Sequence, residues 1–196
     1  MKNKLFLSVV VLLTMCLITG CVMKKENTDN NNNTPSNEIK EDNNSVVLYF
    51  SATGTTKSIA QRIAKESNSE IIEIVPKEKY KSEDLDYNSD CRANREQNDP
   101  KARPEIENTI DIAKYNTIYL GYPIWWGTNP KIILTLLDTY DFTGKTIIPF
   151  CTSGSSDITN SVEELRNYNS KLTIKDGRRF SSSDSDKIIK EFVNSN

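Results

Sequence analysis

The run Val46-Val47-Leu48-Tyr49-Phe50 is apolar at every position and is followed at once by a Ser/Thr/Gly cluster and a helix-period segment. A strand of that kind needs cover on both faces, which parallel strands with helical crossovers supply. The helix-period segment, Thr56 to Glu66, carries Ile59, Ala60, Ile63 and Ala64 on one face. The same alternation then repeats. Glu70–Val75 reads as a second strand, stopped by Pro76. Thr117–Gly121 is a third, ended by Tyr122-Pro123, Thr146–Cys151 a fourth and Lys171–Lys175 a fifth. Pro130 opens a helix bearing Ile132, Ile133, Leu136 and Leu137, and helices are expected over Asp157–Tyr168 and Asp184–Val193. Residues 77–104 are polar, carry Pro100 and Pro104, and read as a long excursion with little regular structure. Glu105–Lys114 reads as a short helix after Pro104.

Repeated strand–helix alternation predicts an α/β three-layer sandwich, a five-stranded parallel sheet with right-handed crossovers and helices on both faces. The expected strand order is 2-1-3-4-5, which places ligands at the carboxyl ends of the strands beside the switch point. Three loops, at 51–56, 122–129 and 152–156, then meet at one edge, and all three are chemically unusual.

The first, Ser51-Ala52-Thr53-Gly54-Thr55-Thr56, sets four hydroxyls and a glycine before a helix N-terminus. Unpaired N–H groups and the helix dipole there stabilise a phosphate without a basic side chain. The segment reads equally as an ordinary strand–helix turn with Ser and Thr caps. No Gly-Lys-[Ser/Thr] follows, so it is not a Walker loop. The second, Pro123-Ile124-Trp125-Trp126-Gly127, holds both tryptophans of the chain. An exposed pair of this kind needs a cover, either a stacked planar ligand or the end of the core or an interface. The third, Thr152-Ser153-Gly154-Ser155, offers hydroxyls and N–H groups to a polar ring edge, or serves as a capping turn ahead of Asp157.

Taken together, these segments resemble one family. Leu48-Tyr49-Phe50-Ser51-Ala52-Thr53-Gly54-Thr55-Thr56 is similar to the flavodoxin phosphate loop. Gly121-Tyr122-Pro123-Ile124-Trp125-Trp126-Gly127 and Pro149-Phe150-Cys151-Thr152-Ser153-Gly154-Ser155 resemble the two flavin-flanking loops of a bacterial flavodoxin-like branch. The segment Arg92-Ala93-Asn94-Arg95-Glu96-Gln97 through Ala102-Arg103-Pro104 resembles that branch's linker. The resemblance covers residues 46–193 and implies a flavodoxin-like sandwich holding FMN. Its phosphate would lie on Ser51, Thr53, Gly54, Thr55 and Thr56, with Ala52 in the same loop. Its ring would lie against Pro123, Ile124, Trp125, Trp126 and Gly127, with Thr152, Ser153, Gly154 and Ser155 at the polar edge. Flavodoxins commonly place a tyrosine on the outer flavin face in the loop after strand four. Only small residues stand there in this chain, which leaves that face open or covered from elsewhere, with Tyr87 as the candidate. The three loops carry no Lys or Arg, so a negative charge on the reduced ring lacks a countercharge and a low potential is expected, as in the family.

Ahead of this domain, residues 1–20 have the two lysines and apolar run of a secretory signal peptide. They close on Ile18-Thr19-Gly20-Cys21, which resembles the lipobox of bacterial lipoproteins and implies lipidation of Cys21. Residues 21–45 are Asn-rich and charged, as expected of a disordered tether, with the FMN-binding domain spanning 46–196. The expected location is extracytoplasmic, at the cell membrane through the lipid anchor.

Composition narrows the chemistry. Histidine is absent from all 196 residues, which excludes Ser-His-Asp and Cys-His catalysis and every imidazole metal site. Cys16, Cys21, Cys91 and Cys151 show no C-x-x-C spacing, so zinc ribbons, iron–sulfur clusters and thioredoxin-like dithiols find no support. Cys91 and Cys151 read as unpaired. The net charge of −2 and the lack of a basic stripe argue against nucleic acid. No catalytic side chain and no metal ligand is assigned. The expected function is FMN-dependent electron transfer with an unidentified donor and acceptor at the membrane. The alternatives are an FMN-dependent NAD(P)H:quinone or nitro-compound reductase, although no G-x-G-x-x-G is present, and a non-redox surface binding module.

Overall fold

The computed structural model describes residues 44–196. The signal peptide, Cys21 and nearly all of the tether lie outside the described residues. The elements, in chain order, are β1 (Ser45–Tyr49), α1 (Thr55–Glu66), β2 (Glu70–Glu73), a 3₁₀ turn (Ser82–Leu85), α2 (Arg92–Asn98), β3 (Thr117–Pro123), α3 (Lys131–Thr139), β4 (Thr146–Thr152), α4 (Thr159–Tyr168), β5 (Thr173–Ile174), β6 (Arg178–Phe180) and α5 (Asp186–Asn194). The strands are parallel in the order β2-β1-β3-β4-β5, with β6 also paired to β4.

Every residue of β1 is buried, and its side chains serve two cores in alternation. Val46, Leu48 and Phe50 join Ile132, Ile133 and Leu136 of α3 and Val162 and Leu165 of α4 on one face. Val47 and Tyr49 join Ile59 and Ile63 of α1 and Ile189 and Phe192 of α5 on the other. This is the expected three-layer sandwich. Among the described residues no helix is long and apolar enough to cross a membrane.

The fifth strand departs from the sequence expectation by being split. β5 pairs with Thr146 and Ile147, and β6 resumes at Phe150 to Thr152. The break falls at Pro149, which has no N–H for the ladder. Lys175 N donates to Ile147 O (2.9 Å), two residues before that missing donor. Gly177, at φ 72°, then passes so close to β4 that a Cβ there would lie 2.3 Å from the Pro149 carbonyl oxygen.

Two further segments differ from expectation. The 77–104 excursion contains the 3₁₀ turn and α2. Residues 105–114 are not helical: they pass through an antiparallel bridge between Pro76 and Ile106, with backbone bonds Lys77 N to Glu105 O (2.9 Å) and Glu107 N to Val75 O (2.8 Å), and end in a turn at 113–114. Asn108 completes this return: Oδ1 accepts from Val75 N and Nδ2 donates to Glu73 O, each at 2.9 Å. Ile110 and Ile112 are buried on either side of exposed Asp111, a strand-like alternation.

Candidate functional site

The carboxyl ends of β1, β3 and β4 bring the three loops together, and their contacts are mutual. Thr56 Oγ1 meets Thr152 Oγ1 at 2.7 Å, a buried link between the first loop and the third. Ile124 N donates to Thr152 O (3.0 Å), linking the second to the third. A cleft of ≈ 430 Å³ opens between them, lined by Thr53 and Thr55, by Pro123, Ile124 and Trp125, and by Thr152, Ser153 and Gly154. The remaining wall comes from Leu85 and Tyr87 of the excursion and from Phe180, Ser181 and Ser182 after β6.

The other expected site residues stand behind or beside that lining. Ser51 Oγ accepts from Gly54 N (3.1 Å) and closes the first loop on itself. Ala52 packs against the α3–α4 core. Gly54 is the left-handed N-cap of α1, and no side chain caps this helix end. The first turn of α1 also holds no acidic residue. Its first-turn N–H groups are therefore available to an anion beside the Thr53 and Thr55 hydroxyls. Ser155 N bonds Ser153 Oγ (3.3 Å) and stiffens the third loop.

The tryptophan pair divides between two roles. Trp125 is 5 % exposed and packs edge-on against Phe50 (5.5 Å between centroids) and Tyr80 (5.0 Å) while lining the cleft. Trp126, 37 % exposed, lies outside that lining and faces Tyr87, with centroids 4.5 Å apart and planes tilted by 38°. The turn between them is narrow: Trp125 N donates to Thr128 O (2.9 Å) and Thr128 N to Trp125 O (3.0 Å). Trp126 (φ 49°) and Gly127 (φ 81°) both take left-handed backbone, as a two-residue type I′ turn requires. Glu164 of α4 holds the far side, accepting from Thr128 Oγ1, from Asn129 Nδ2 (3.1 Å) and from Lys131 Nζ (3.3 Å).

The third loop is joined to β6. Ser153 N donates to Phe180 O (3.3 Å), and Arg179 Nη1 donates to Ser153 O (2.9 Å). A cation thus stands directly behind the loop, although none lies within the three loops themselves. The β6 wall went unseen in the sequence, where Arg178-Arg179-Phe180 follows the expected last strand without a period of its own. Cys91 and Cys151 are both buried and unpaired. Burial, with Asp157 nearby, pushes the Cys151 thiol up to about 12. Burial likewise raises the Tyr122 hydroxyl, which pairs with Ser161 Oγ at 3.0 Å. Among the described residues no group of three or more His, Cys, Asp or Glu side chains could hold a metal ion.

A family model for flavodoxin matches residues 44–196. The chain belongs to the flavodoxin family. Among solved structures, one from Bacteroides eggerthii DSM 20697, described as a candidate flavoprotein, is 38 % identical. That match covers 77 % of this chain and 96 % of that chain, with a TM-score of 0.74. Another such protein, from Bacteroides uniformis ATCC 8492, is 39 % identical over 76 % of this chain and 97 % of that chain, also with a TM-score of 0.74. A flavoprotein from Lactobacillus acidophilus NCFM, solved in complex with FMN, is 25 % identical over 76 % of this chain and 97 % of its own, with a TM-score of 0.56. A search of curated proteins finds no match.

Proposed function

We propose that this chain is an FMN-binding electron carrier, held outside the cytoplasmic membrane by lipid on Cys21. The FMN reading rests on one observation: the uncapped N-terminus of α1 opens, with Thr53 and Thr55, into the cleft that Trp125 and Tyr87 line. That pairing matches an anionic phosphate at one end and a planar aromatic ring at the other. The FMN complex of the Lactobacillus acidophilus relative supports it. FMN would supply the electron chemistry when bound, and the protein its orientation and the dipole of the α1 N-terminus. Thr53, Thr55 and the first turn of α1 would hold the phosphate, Trp125 would bound the ring, and Thr152 to Gly154 would meet its polar edge. Tyr87, in the cleft lining, would cover the face left open by the small residues after β4.

The cleft lining contains no carboxylate, amine or imidazole. Its titratable side chain is the Tyr87 phenol, whose pKa burial raises, so the lining offers a weak proton donor, whereas electron exchange at a flavin calls on no side-chain acid. This favours the carrier over the reductase. The membrane location rests on the lipobox-like Ile18-Thr19-Gly20-Cys21, and with it goes a membrane-associated donor and acceptor.

The test is to load the purified full chain with excess FMN, desalt it and titrate it anaerobically with dithionite. A carrier retains FMN and takes up electrons in two resolved one-electron steps. Retained FMN reduced in a single two-electron step, and rapidly by NAD(P)H, selects the reductase. Loss of FMN from folded protein removes the flavin reading.

A further inference from the structure

In the linker-like segment 92–104, α2 reaches two aromatic walls of the cleft, at Trp125 and Tyr87, through polar side chains. Gln97 reaches the tryptophan turn from below. Its Nε2 donates to Trp125 O (3.3 Å) and to Asn129 O (3.2 Å), and its Oε1 accepts from Lys131 N (3.1 Å). One carboxamide thus closes the turn from both ends and ties it to the first residue of α3. Asn94, one helical turn earlier, donates through Nδ2 to the carbonyls of Tyr87 and Ser89.

We propose that Gln97 is a positioning residue of the flavin site, holding the Trp125–Asn129 turn in the shape that fits the ring. The inference rests on the flavin reading above. The geometry demands a group that donates twice and accepts once in one plane. Among uncharged side chains of this reach, only Gln does so. A carboxylate of the same shape keeps the acceptor for Lys131 N but sets oxygen against the Trp125 and Asn129 carbonyls. Protonation would restore one donor.

The experiment compares full-length wild type, Gln97→Glu and Gln97→Leu, measuring FMN affinity by flavin fluorescence quenching and ring environment by visible circular dichroism. Both are read at about pH 8 and about pH 5, on either side of the range expected for a carboxyl whose ionised form faces two carbonyls. At the higher pH, Gln97→Glu is expected to bind FMN roughly tenfold more weakly than wild type, with an altered visible spectrum. At the lower pH it recovers toward wild type. Gln97→Leu, which has neither donor nor charge, stays weak at both, and it carries the test should the acidic variant fail to fold. A purely structural role would move the unfolding midpoint without this pH-dependent rescue. Variants that match wild type in affinity and spectrum at both pH values overturn the inference and leave the flavin reading standing. Wild type that retains no FMN overturns both.

Discussion

Trp126 and Gly127 together show what a single pair of residues can impose on a site. Tryptophan in left-handed backbone is strained, at a cost of about 1–2 kcal/mol, and across this turn the Trp126 ring lies against Tyr87 while Trp125 is buried. Gly127 carries the second positive φ, and a Cβ added there would meet nothing within 4 Å. Gly127→Ala is therefore expected to destabilise the fold by about 1 kcal/mol through backbone conformation alone. Gly154→Ala, which is equally uncrowded but not at positive φ, should stay within about 0.5 kcal/mol. Urea unfolding midpoints of the two variants decide this. Cys151 gives a second residue-level prediction. A thiol with no exposed surface and pushed up to about 12 is almost wholly protonated near neutrality. Iodoacetamide at about pH 8 should leave Cys151 unmodified in native protein and alkylate it in urea, as peptide mass spectrometry would report. The tryptophan pair was conspicuous in the sequence, but adjacent positions carry no information on which of two rings is buried. The αL backbone that separates them is a property of the closed turn.

At the scale of elements, legibility followed apolar periodicity. β1, α1, α3 and α5 each bury a regular stripe, and each lies within a few residues of where the sequence placed it. α2 buries only Ala93. It is held instead by polar bonds: Cys91 Sγ accepting from Asn94 N (3.4 Å), Arg92 Nε to Glu96 Oε1 (2.6 Å), and Tyr80 OH to Glu96 Oε2 (2.5 Å). No hydrophobic pattern announces such a helix. Residues 105–114 failed for a related reason. The Ile110-Asp111-Ile112 alternation was present, but two matches are too few to outweigh a proline that can start a helix. The split of the fifth strand was partly legible, because Pro149 in a buried strand forbids an unbroken ladder on one side. Gly177→Ala tests the consequence. Its Cβ would sit 2.3 Å from the Pro149 carbonyl oxygen at a positive φ. A loss of about 2–4 kcal/mol is expected in urea unfolding, with β6 and the cleft wall at Phe180 to Ser182 displaced.

At the scale of the whole molecule, distant elements are joined by a few exposed charge clusters that make stability depend on pH. The Tyr168 hydroxyl, bonded to Asp138, and the Arg103 guanidinium hold the Asp138 carboxyl below the usual carboxylate range. A depressed folded-state value contributes stability that is complete above the unfolded value of about 4 and fades as pH falls through the folded one. Stability should therefore decline below about pH 4, and Asp138→Asn should flatten that decline. Because the cluster is solvent-exposed, the difference will be small and will shrink further in high salt. Unfolding midpoints at several pH values, at low and high ionic strength, provide the check.

The sequence alone determined the sandwich, because fully apolar strands alternating with one-faced helices admit few other packings. It also determined that the Ser/Thr/Gly loop, the tryptophan loop and the third loop share an edge, since a parallel sheet of this order puts those three carboxyl ends side by side. Tertiary structure decided what stands across from them. Tyr87 and Leu85 reach the cleft from an excursion fixed by polar bonds, Phe180 to Ser182 from a strand resumed after a proline, and Arg179 from behind the third loop. Contacts of that kind depend on where long, aperiodic segments return, and a pattern read along the chain reports only neighbours a few residues apart.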